Sequence, residues 1–412
     1  MQTEREERLG GQDSLAERIR RRQRAAESPP LVRSYESLSP TTHVEAPPQR
    51  GPVFERLLDH LDPVFDGRLP GNAYVWGPRG AGKSAVVTAL FDRLERRSTE
   101  TASTRDAPAP PTTPPLPAFT RVDARTATSE FAFYHAVLDS LLDTSVSRQG
   151  IGTDTLRSRL RDRLDDTRGT VVAVDHVDRL GEEEATPNSD ATAAALRDRF
   201  TPLPDNVRWL AVGRRPPAET TVASHASSTL AVEPYEPEML VDVLLRRTEE
   251  GLSRRAFGYG QIRRLADWAD GDAHDALAAL FAAVDAADSA GRSRVTETDV
   301  TAGIEAVPAS TVSLARVAAL PANKRRVLRR LVDLTAAERE SVTTATERLC
   351  AAPDLDLSAN TVERFLYELA ETGVIERVQS TVDRTSGRPP SRLELRLPTT
   401  VFRRQYDERE TL

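Results

Sequence analysis

Apolar residues along the chain follow two spacings, and each spacing predicts a different element. Between residues 73 and 232, short apolar runs alternate with stretches whose apolar residues recur every three or four positions. The first kind is typical of buried parallel strands, and the second of amphipathic helices. The expected strands cover residues 73–76, 119–123, 170–174, 208–212 and 229–232, and the expected helices cover residues 53–65, 85–94, 131–142, 155–164 and 191–200. This alternation predicts an α/β fold with a parallel sheet covered by helices on both faces.

The character of the pattern changes after residue 235. Residues 236–308 carry only helical spacings. Residues 309–412 then contain three helical patterns followed by two alternating strands, which is the order of a winged helix-turn-helix. We therefore expect an α/β core over residues 31–235, a helical domain and a C-terminal winged-helix domain.

Two further segments are not expected to fold. Residues 1–30 are highly charged and almost free of large apolar side chains, which is typical of a disordered segment. Residues 98–118 are rich in proline and threonine and predict an extended surface insertion in the core.

Composition limits the setting of the chain. The sequence has 56 basic and 63 acidic residues, a net charge of −7, which excludes a basic coat over the whole chain but not a local basic patch. It has one cysteine, which excludes an internal disulfide and a multi-cysteine zinc site. It has no apolar run long enough for a membrane span and no N-terminal apolar signal, so we expect a cytoplasmic protein without a membrane partner.

Lysine is almost absent from the basic residues. Only Lys83 and Lys324 are lysines, and the other basic residues are arginines. Arginine for lysine with an acidic excess is the pattern of proteins from high-salt organisms, although codon bias in a GC-rich genome gives the same result. Because lysine is so rare in this chain, the presence of Lys83 suggests a specific role for this residue.

Lys83 belongs to a phosphate-binding motif. The sequence from Gly77 to Ser84 fits G-x-x-x-x-G-K-[ST], follows an expected strand and precedes an expected helix. The glycines let backbone N–H groups approach phosphate oxygens, and the helix start favours negative charge. Lys83 would bridge the β- and γ-phosphates of ATP, and Ser84 would ligate Mg²⁺; the alternative is a chance glycine-rich turn. The expected nucleotide-binding set is Gly77, Pro78, Arg79, Gly80, Ala81, Gly82, Lys83, Ser84 and Ala85.

A carboxylate for the metal follows a second strand. Asp175 ends the apolar run 170–174 and would hold Mg²⁺, usually through water; the alternative is an ordinary strand that happens to end in aspartate. Many ATPases place a glutamate next, which activates the attacking water. Here that residue is His176, whose imidazole is a poorer replacement for a carboxylate at neutral pH. The sequence thus supports ATP binding better than hydrolysis.

The C-terminal domain offers candidate DNA contacts. The start of a recognition helix meets base edges in the major groove, while basic residues on a wing meet phosphates. The base-reading candidates are Ser358, Asn360, Thr361 and Arg364, and the phosphate-binding candidates are Arg384, Arg388 and Arg392. The alternative is a winged helix that docks on protein, with solvated arginines. We expect double-stranded DNA as the partner.

Five segments in order resemble the archaeal replication-initiator family of AAA+ proteins, which is related to the origin recognition complex and to the cell division cycle loader. These segments lie at residues 44–50, 69–78, 233–247, 271–277 and 295–300, and the resemblance extends over roughly residues 31–400. It implies an α/β AAA+ P-loop NTPase core, with an α-helical lid over residues 236–308 and a C-terminal winged helix-turn-helix. It also implies that Tyr235 and Arg247 contact the nucleotide.

Several catalytic positions depart from that family. His176 stands where the family has a glutamate, and Arg214 stands near the place of its first-sensor asparagine. His274 replaces the arginine of the second sensor and would take its place beside the nucleotide. The arginine finger has no clear match. Together these changes predict a divergent paralogue with slow or absent ATP hydrolysis, although Arg214 and the neighbouring Arg215 could stabilise phosphate charge or simply form surface ion pairs.

The resulting expectation is an ATP- and Mg²⁺-binding, origin-related DNA-binding protein whose nucleotide state controls DNA binding. The resemblance adds other initiator or helicase-loading proteins as possible partners. The alternative from a different class is a winged-helix transcription regulator that keeps a degenerate ATPase as a scaffold.

Overall fold

The computed structural model describes residues 30–42, 47–103, 116–142, 146–147, 150–180, 189–309, 311–312, 314–318, 320–379 and 391–410. The chain forms two compact units. One, the core unit, is His43–Met239. The other, the lid and winged-helix unit, joins Met1–Thr42 to Leu240–Leu412. Residues 1–30 were predicted to be disordered. Of these, residues 1–29 lie outside the described residues.

A five-stranded parallel sheet forms the centre of the core unit. Its strands are β1 (Ala73–Trp76), β2 (Ala118–Asp123), β3 (Thr170–Asp175), β4 (Val207–Gly213) and β5 (Ser228–Ala231). Their order in the sheet is β2-β3-β4-β1-β5, and every adjacent pair is parallel. All five strands therefore end at the same edge, and the predicted strands are confirmed within one or two residues.

Helices cover both faces of this sheet. In chain order they are α2 (Gly51–Leu61), α3 (Lys83–Ser103), α4 (Glu130–Ser140), α5 (Thr153–Asp165) and α6 (Ser189–Phe200). Alternate residues of β3 point to opposite faces, as the pleat requires: Val172 and Val174 pack with α4–α6, and Val171 and Ala173 pack with α2 and α3. Both clusters are fully buried, which explains the unbroken apolar runs in the sequence.

The proline- and threonine-rich insertion begins later than predicted. Residues 98–103, which the composition assigned to the extended segment, continue α3. No proline occurs between residues 79 and 107, so no proline ends the helix sooner. Residues 104–115 of the insertion lie outside the described residues.

The lid and winged-helix unit contains the helical region that follows the core. The short helix α1 (Tyr35–Leu38) is followed, across the core unit, by α7 (Pro237–Gly251), α8 (Tyr259–Ala269), α9 (Ala273–Ser289) and α10 (Glu297–Glu305). The bulk of the packing is between α9 and α10, where alanines of α9 are fully buried. Gly303 permits this close approach, because a Cβ at that position would lie 2.5 Å from the carbonyl oxygen of Ala279.

The winged helix follows in the same unit. It consists of α11 (Leu314–Ala318), α12 (Ala322–Asp333), α13 (Val342–Cys350), α14 (Ala359–Glu371) and the antiparallel hairpin β6 (Ile375–Gln379) and β7 (Ser391–Leu395). A final helix, α15 (Thr399–Glu410), was not foreseen from the sequence. It is joined to α12 by the Arg329–Asp407 ion pair (2.7 Å) and to α9 by the Arg404–Asp285 ion pair (3.1 Å). It therefore ties the winged helix to the lid.

The segment before the core also belongs to this unit. The backbone N–H groups of Arg33 and Ser34 donate to the carbonyl of Gly251 at 2.8 and 3.1 Å. Leu38 is fully buried beside Gly251. The Arg247 guanidinium donates to the carbonyls of Ser37 and Thr42. In the part of the chain that is described, no helix is long and apolar enough to cross a bilayer.

The contact at Gly303 gives a stability prediction. Alanine has the better helix propensity by about 1 kcal/mol, yet its methyl group would overlap the backbone of α9, and overpacking of this kind costs about 1–3 kcal/mol. We expect Gly303→Ala to lower the free energy of unfolding in a denaturant titration. Gly260→Ala is the matched control, because a Cβ at residue 260 meets nothing within 4 Å. An unchanged or more stable Gly303→Ala variant would contradict the packing described.

Candidate functional site

The carboxyl edge of the sheet brings together the predicted catalytic residues of the core unit. The phosphate loop follows β1, which lies between β4 and the edge strand β5. Asp175 ends β3, and Arg214 follows the end of β4. Parallel strands place these chain ends along one rim, which is where ligands bind in open α/β sheets.

Two glycines let the loop lie close to its neighbours. A Cβ at Gly77 would lie 2.1 Å from the carbonyl oxygen of Val232, just after β5. A Cβ at Gly82 would lie 2.8 Å from the Tyr235 hydroxyl, and Gly82 also has a positive φ of 82°. A side chain at either position would push the loop away from β5 and from Tyr235.

Lys83 lies at the start of α3, as the motif predicts. Its side chain is 9% exposed, and its ammonium donates to the carbonyls of Gly77 (2.8 Å) and Pro78 (2.7 Å). The ammonium is therefore held over the loop by the loop's own backbone. This is the position from which a lysine reaches the β- and γ-phosphates of a nucleotide.

A buried arginine fixes the loop from its other side. Arg50 is 4% exposed and donates to the carbonyls of Ala81 (2.7 Å) and Glu233 (3.0 Å). Its guanidinium carbon lies 3.6 Å from the centroid of the Tyr235 ring. Arg50 thus joins the loop, the end of β5 and Tyr235 in one packed unit, and it holds in place the tyrosine that the family resemblance assigned to the nucleotide.

The groups around Asp175 favour the ionised form of its carboxyl group. Burial alone would raise its pKa, but the charge and hydrogen bonding of His176 outweigh that effect. A hydrogen bond with Ser84 and the Arg125 guanidinium act in the same direction, so the pKa of Asp175 lies well below its usual range. A carboxylate and a hydroxyl oxygen thus meet at the start of α3, and these are the ligand types that Mg²⁺ prefers.

His176 lies between two carboxylates. Its backbone has φ 57° and ψ 40°, a left-handed conformation that histidine tolerates better than most residues. Its Nδ1 lies 3.2 Å from Asp175 Oδ1 and 3.7 Å from Asp123 Oδ1. Asp123 ends β2 and is the register partner of Asp175. The side chain at the usual glutamate position therefore faces two acids.

Asp123 is itself held by an arginine. Arg125 Nε donates to both oxygens of Asp123 at 2.9 and 3.0 Å, and Nη2 donates to Oδ2 at 2.5 Å. The Arg125 side chain is 10% exposed. The edge thus carries a row of neighbouring side chains that runs from Arg125 through Asp123 and His176 to Asp175.

Arg214 emerges from the rim with its backbone fixed. Its N–H donates to Asp178 Oδ2 at 2.8 Å, while its side chain is exposed. The Tyr74 hydroxyl donates to the next carbonyl, that of Arg215, at 2.8 Å. The Arg214 guanidinium projects from a firmly held strand end. A phosphate contact by this guanidinium stays a prediction.

Arg247 and His274 lie in the other unit. Arg247 is 5% exposed and is engaged by the carbonyls of Ser37 and Thr42. His274 Nε2 accepts from the N–H of Leu314 at 3.4 Å, and its Nδ1 lies 3.4 Å from Asp275. Both side chains have partners within their own unit, and their predicted nucleotide contacts remain predictions.

The candidate DNA-contacting residues of α14 divide into two kinds. Ser358 caps the helix, because its Oγ accepts the N–H of Thr361 at 3.3 Å, and the two hydroxyls lie 2.9 Å apart. Asn360 and Arg364 are exposed on the first turns, with Arg364 Nε 3.8 Å from Glu368. The hydroxyls of Ser358 and Thr361 thus already serve the helix end, which leaves Asn360 and Arg364 as the better placed base-reading candidates.

The wing is described only in part. Arg384 and Arg388 lie outside the described residues. Arg392 lies on β7, where its guanidinium is hydrogen-bonded to Glu394. This carboxylate neutralises Arg392 in part, so we expect it to contribute less to phosphate binding than a solvated arginine would.

Three residues of the site were missed from the sequence: Arg50, Asp123 and Arg125. Asp123 had a usable signal, since it follows an expected strand as Asp175 does. Arg125 could have been sought as its counter-charge two residues later. Arg50 belongs to segment 44–50, which resembles the family, but nothing indicated its role, because it lies outside every periodic segment and its partners are backbone carbonyls.

Comparison with known proteins agrees with this geometry. Residues 46–210 match the AAA ATPase domain. An ORC1-type DNA replication protein of Halobacterium salinarum is 26% identical over 250 residues, 58% of this chain and 62% of that protein. A second, from Sulfolobus acidocaldarius, is aligned over 66% of its length, so the chain spans slightly less than two thirds of both. An ORC1-type DNA replication protein of Thermococcus onnurineus is 23% identical over 86% of this chain and 85% of that protein.

Solved structures show the same fold. The Aeropyrum pernix ORC1 protein in complex with DNA has a TM-score of 0.60 and 22% identity, covering 93% of this chain and 100% of that one. The Aeropyrum pernix ORC2 protein, solved as ADPNP and ADP complexes, has a TM-score of 0.53 and 16% identity, covering 92% and 98% of the two chains. The core of the chain thus carries an AAA ATPase domain, and the chain is similar to ORC1-type DNA replication proteins.

Proposed function

We propose that the core unit binds ATP with Mg²⁺. The observation that carries this proposal is the phosphate loop, with the Lys83 ammonium held 2.7–2.8 Å from the carbonyls of Pro78 and Gly77 at the carboxyl edge of the sheet. Gly77 and Gly82 let the loop pack against Val232 and Tyr235. In a loop of this kind the backbone N–H groups converge on phosphate oxygens. The Aeropyrum pernix ORC2 complexes with ADPNP and ADP support the same reading.

Ser84 and Asp175 fit the metal that such a nucleotide carries. The carboxylate is ionised and hydrogen-bonded to the hydroxyl, so the pair offers oxygen ligands of the kind that Mg²⁺ requires. When bound, the metal would neutralise charge on the β- and γ-phosphates. The protein residues would orient the phosphates: Lys83 from the loop, and Arg214 from the end of β4.

Hydrolysis is expected to be weak. A catalytic carboxylate accepts a proton from the attacking water or orients it, and here an imidazole occupies that position. The Nδ1 of His176 also lies 3.2 Å from Asp175 and 3.7 Å from Asp123. A ring engaged with two acids is poorly placed to hold a water molecule opposite the γ-phosphate. ATP would then remain bound for a long time. It would act by its presence in the site and not through the energy of its hydrolysis.

We propose double-stranded DNA as the partner of the winged helix. The exposed Asn360 and Arg364 start a helix of 13 residues that is capped and packed on the domain. The Aeropyrum pernix ORC1 protein, of the same fold, was solved with DNA. Nucleotide state would control this binding, and the role would be replication initiation, as the names of the curated relatives suggest.

Mapping the chromosomal sites bound by the chain tests that role against transcription regulation. Replication initiation predicts peaks at origin repeats. Peaks confined to scattered promoters would contradict it and would favour a regulator that keeps the ATPase as a scaffold.

The first prediction from the proposed function concerns the affinity of the phosphate loop for ATP. Lys83→Ala removes a charged contact to phosphate that is worth about 1.5–3 kcal/mol, so we expect ATP to bind about 10- to 100-fold more weakly in titration calorimetry with Mg²⁺ at high salt. Lys324→Ala is the matched control, because this second lysine is paired with Glu368 in the winged helix at 2.8 Å. Equal ATP affinity in the Lys83→Ala variant would refute the assignment.

A second prediction concerns turnover. We expect the wild-type chain to hydrolyse ATP well below ~1 per second, the low end for phosphoryl-transfer enzymes. His176→Glu should raise the rate, but it would add a third acid beside Asp123 and Asp175. The double variant Asp123→Asn with His176→Glu removes that repulsion and should be faster than His176→Glu alone. A wild-type rate near ~1 per second in a phosphate-release assay would contradict this account.

A third prediction separates base reading from phosphate binding in the full chain. Arg364→Ala should reduce discrimination between DNA sites by ~1–3 kcal/mol if its contact is bidentate to guanine. Arg388→Ala should weaken all duplexes alike and reduce the salt slope by about one unit. Both are measured by fluorescence anisotropy. Absence of duplex binding by the wild-type chain even at low salt would indicate that the winged helix docks on protein.

A further inference from the structure

Three arginines form an unpaired basic patch on the lid. Arg254 and Arg255 lie in the loop between α7 and α8, and Arg294 precedes α10. All three are exposed, and none has a hydrogen-bond or ion-pair partner for its side chain among the described residues. We call Arg254, Arg255 and Arg294 the lid patch.

The remaining arginines of the lid are engaged. Arg247 binds backbone carbonyls, and the other four are paired with acids. These pairs are Arg246–Glu250 (3.1 Å), Arg263–Asp267 (3.9 Å), Arg264–Glu297 (3.1 Å) and the pair between Arg292 and Asp299. Unpaired arginine is therefore not a general property of this surface. The lid patch is a local excess of positive charge.

Two of these arginines line one groove. Arg255 and Arg294 line a concave space of about 320 Å³, and Gly258 and Gly260 line it as well. A Cβ at Gly260 would meet nothing within 4 Å, so a ligand can approach the backbone there. Arg254 lies on the rim of an adjoining groove that also contains Arg255. Two arginines therefore line a space that is open at Gly260.

The loop that presents the patch is held firmly. The N–H of Val295 donates to the carbonyl of Ala256 at 2.9 Å, which joins the loop to the start of α10. Gln261 completes the link: its side chain accepts from the N–H of Gly258 (2.8 Å) and donates to the carbonyl of Val295 (3.1 Å). Arg255 has a φ of 62°, in the left-handed region that arginine rarely adopts. The backbone positions of Arg255 and Arg294 are thus fixed in advance.

Few acids oppose this charge. Glu297 lines the same groove but is already paired with Arg264. Glu249 lines the adjoining groove, where its carbonyl accepts from Arg33. With Arg33 included, four arginines and two glutamates border the two grooves. The net local charge is positive on a chain whose overall net charge is −7.

We infer that the lid patch binds phosphates of the DNA backbone, in addition to the contacts of the winged helix. This inference rests on the proposed DNA-binding function. A polyanion is repelled by most of an acidic chain and approaches where the charge is locally reversed. Arginine matches phosphate geometry with paired N–H donors, and the open space at Gly260 in the Arg255–Arg294 groove admits a phosphate oxygen. The lid patch contacts no base edge, so it adds affinity without sequence preference.

The test compares the salt dependence of DNA binding in two double variants of the full chain. Arg255→Gln with Arg294→Gln removes the groove pair. Arg246→Gln with Arg263→Gln removes the same net charge from ion-paired lid arginines. Anisotropy titrations over a range of salt, on a duplex of arbitrary sequence, give the slope of log affinity against log salt. We expect the first variant to lower that slope by about two units relative to wild type, and the second to leave it within half a unit.

Each outcome decides a separate question. If wild-type protein binds duplex DNA but the groove variant keeps the wild-type slope, the inference is overturned while the proposed function stands. If wild-type protein binds no duplex, the proposed function itself fails. A groove variant that keeps its DNA slope but loses binding to poly-glutamate would assign the patch to an acidic protein and would also overturn the inference. Thermal unfolding of both variants confirms that they are folded.

Discussion

The site depends on one steric constraint at the end of β1. Residue 77 lies so close to the Val232 carbonyl, 2.1 Å from where a Cβ would be, that only glycine fits there. This contact holds the phosphate loop against β5, and the loop in turn places Lys83 and Ser84 at the start of α3. Arg50 contacts the loop from the opposite side: it donates to the Ala81 carbonyl, and its guanidinium lies over the Tyr235 ring. The strands and helices of the core unit are the frame that keeps these backbones in contact.

Charge, rather than shape, distinguishes this site from one that carries a glutamate at residue 176. Asp123 and Asp175 end neighbouring strands in register, and His176 lies beside both. A glutamate at residue 176 would place three acids within a few ångströms, which is unfavourable unless one is protonated or a cation is bound. Histidine relieves this repulsion and accepts the left-handed backbone, at the cost of a water-activating carboxylate. This arrangement is the basis of our proposal that the chain hydrolyses ATP slowly.

The sequence could predict much of the fold because its strands are buried on both faces. Runs such as 170–174 are unbroken and apolar, so their positions are evident, and the motif at Gly77–Ser84 fixes the start of α3. The end of α3 could not be placed, since no proline interrupts residues 98–103. The helix Thr399–Glu410 was missed because its surface is mostly charged and its position depends on ion pairs with distant residues, such as Arg329–Asp407. Contacts between a side chain and a backbone carbonyl, like those of Arg50, leave no sequence pattern.

In the proposed function the bound nucleotide controls DNA binding, and one measurement tests this control directly. The affinity of the wild-type chain for a duplex is measured by anisotropy with Mg²⁺ and saturating ATP, with saturating ADP, and with neither. Coupling between two sites is reciprocal and is typically worth about 1–3 kcal/mol, so we predict that the dissociation constants differ by about fivefold or more between the ATP and ADP states. Equal dissociation constants in all three conditions, in a protein shown to bind both nucleotides, would contradict the account.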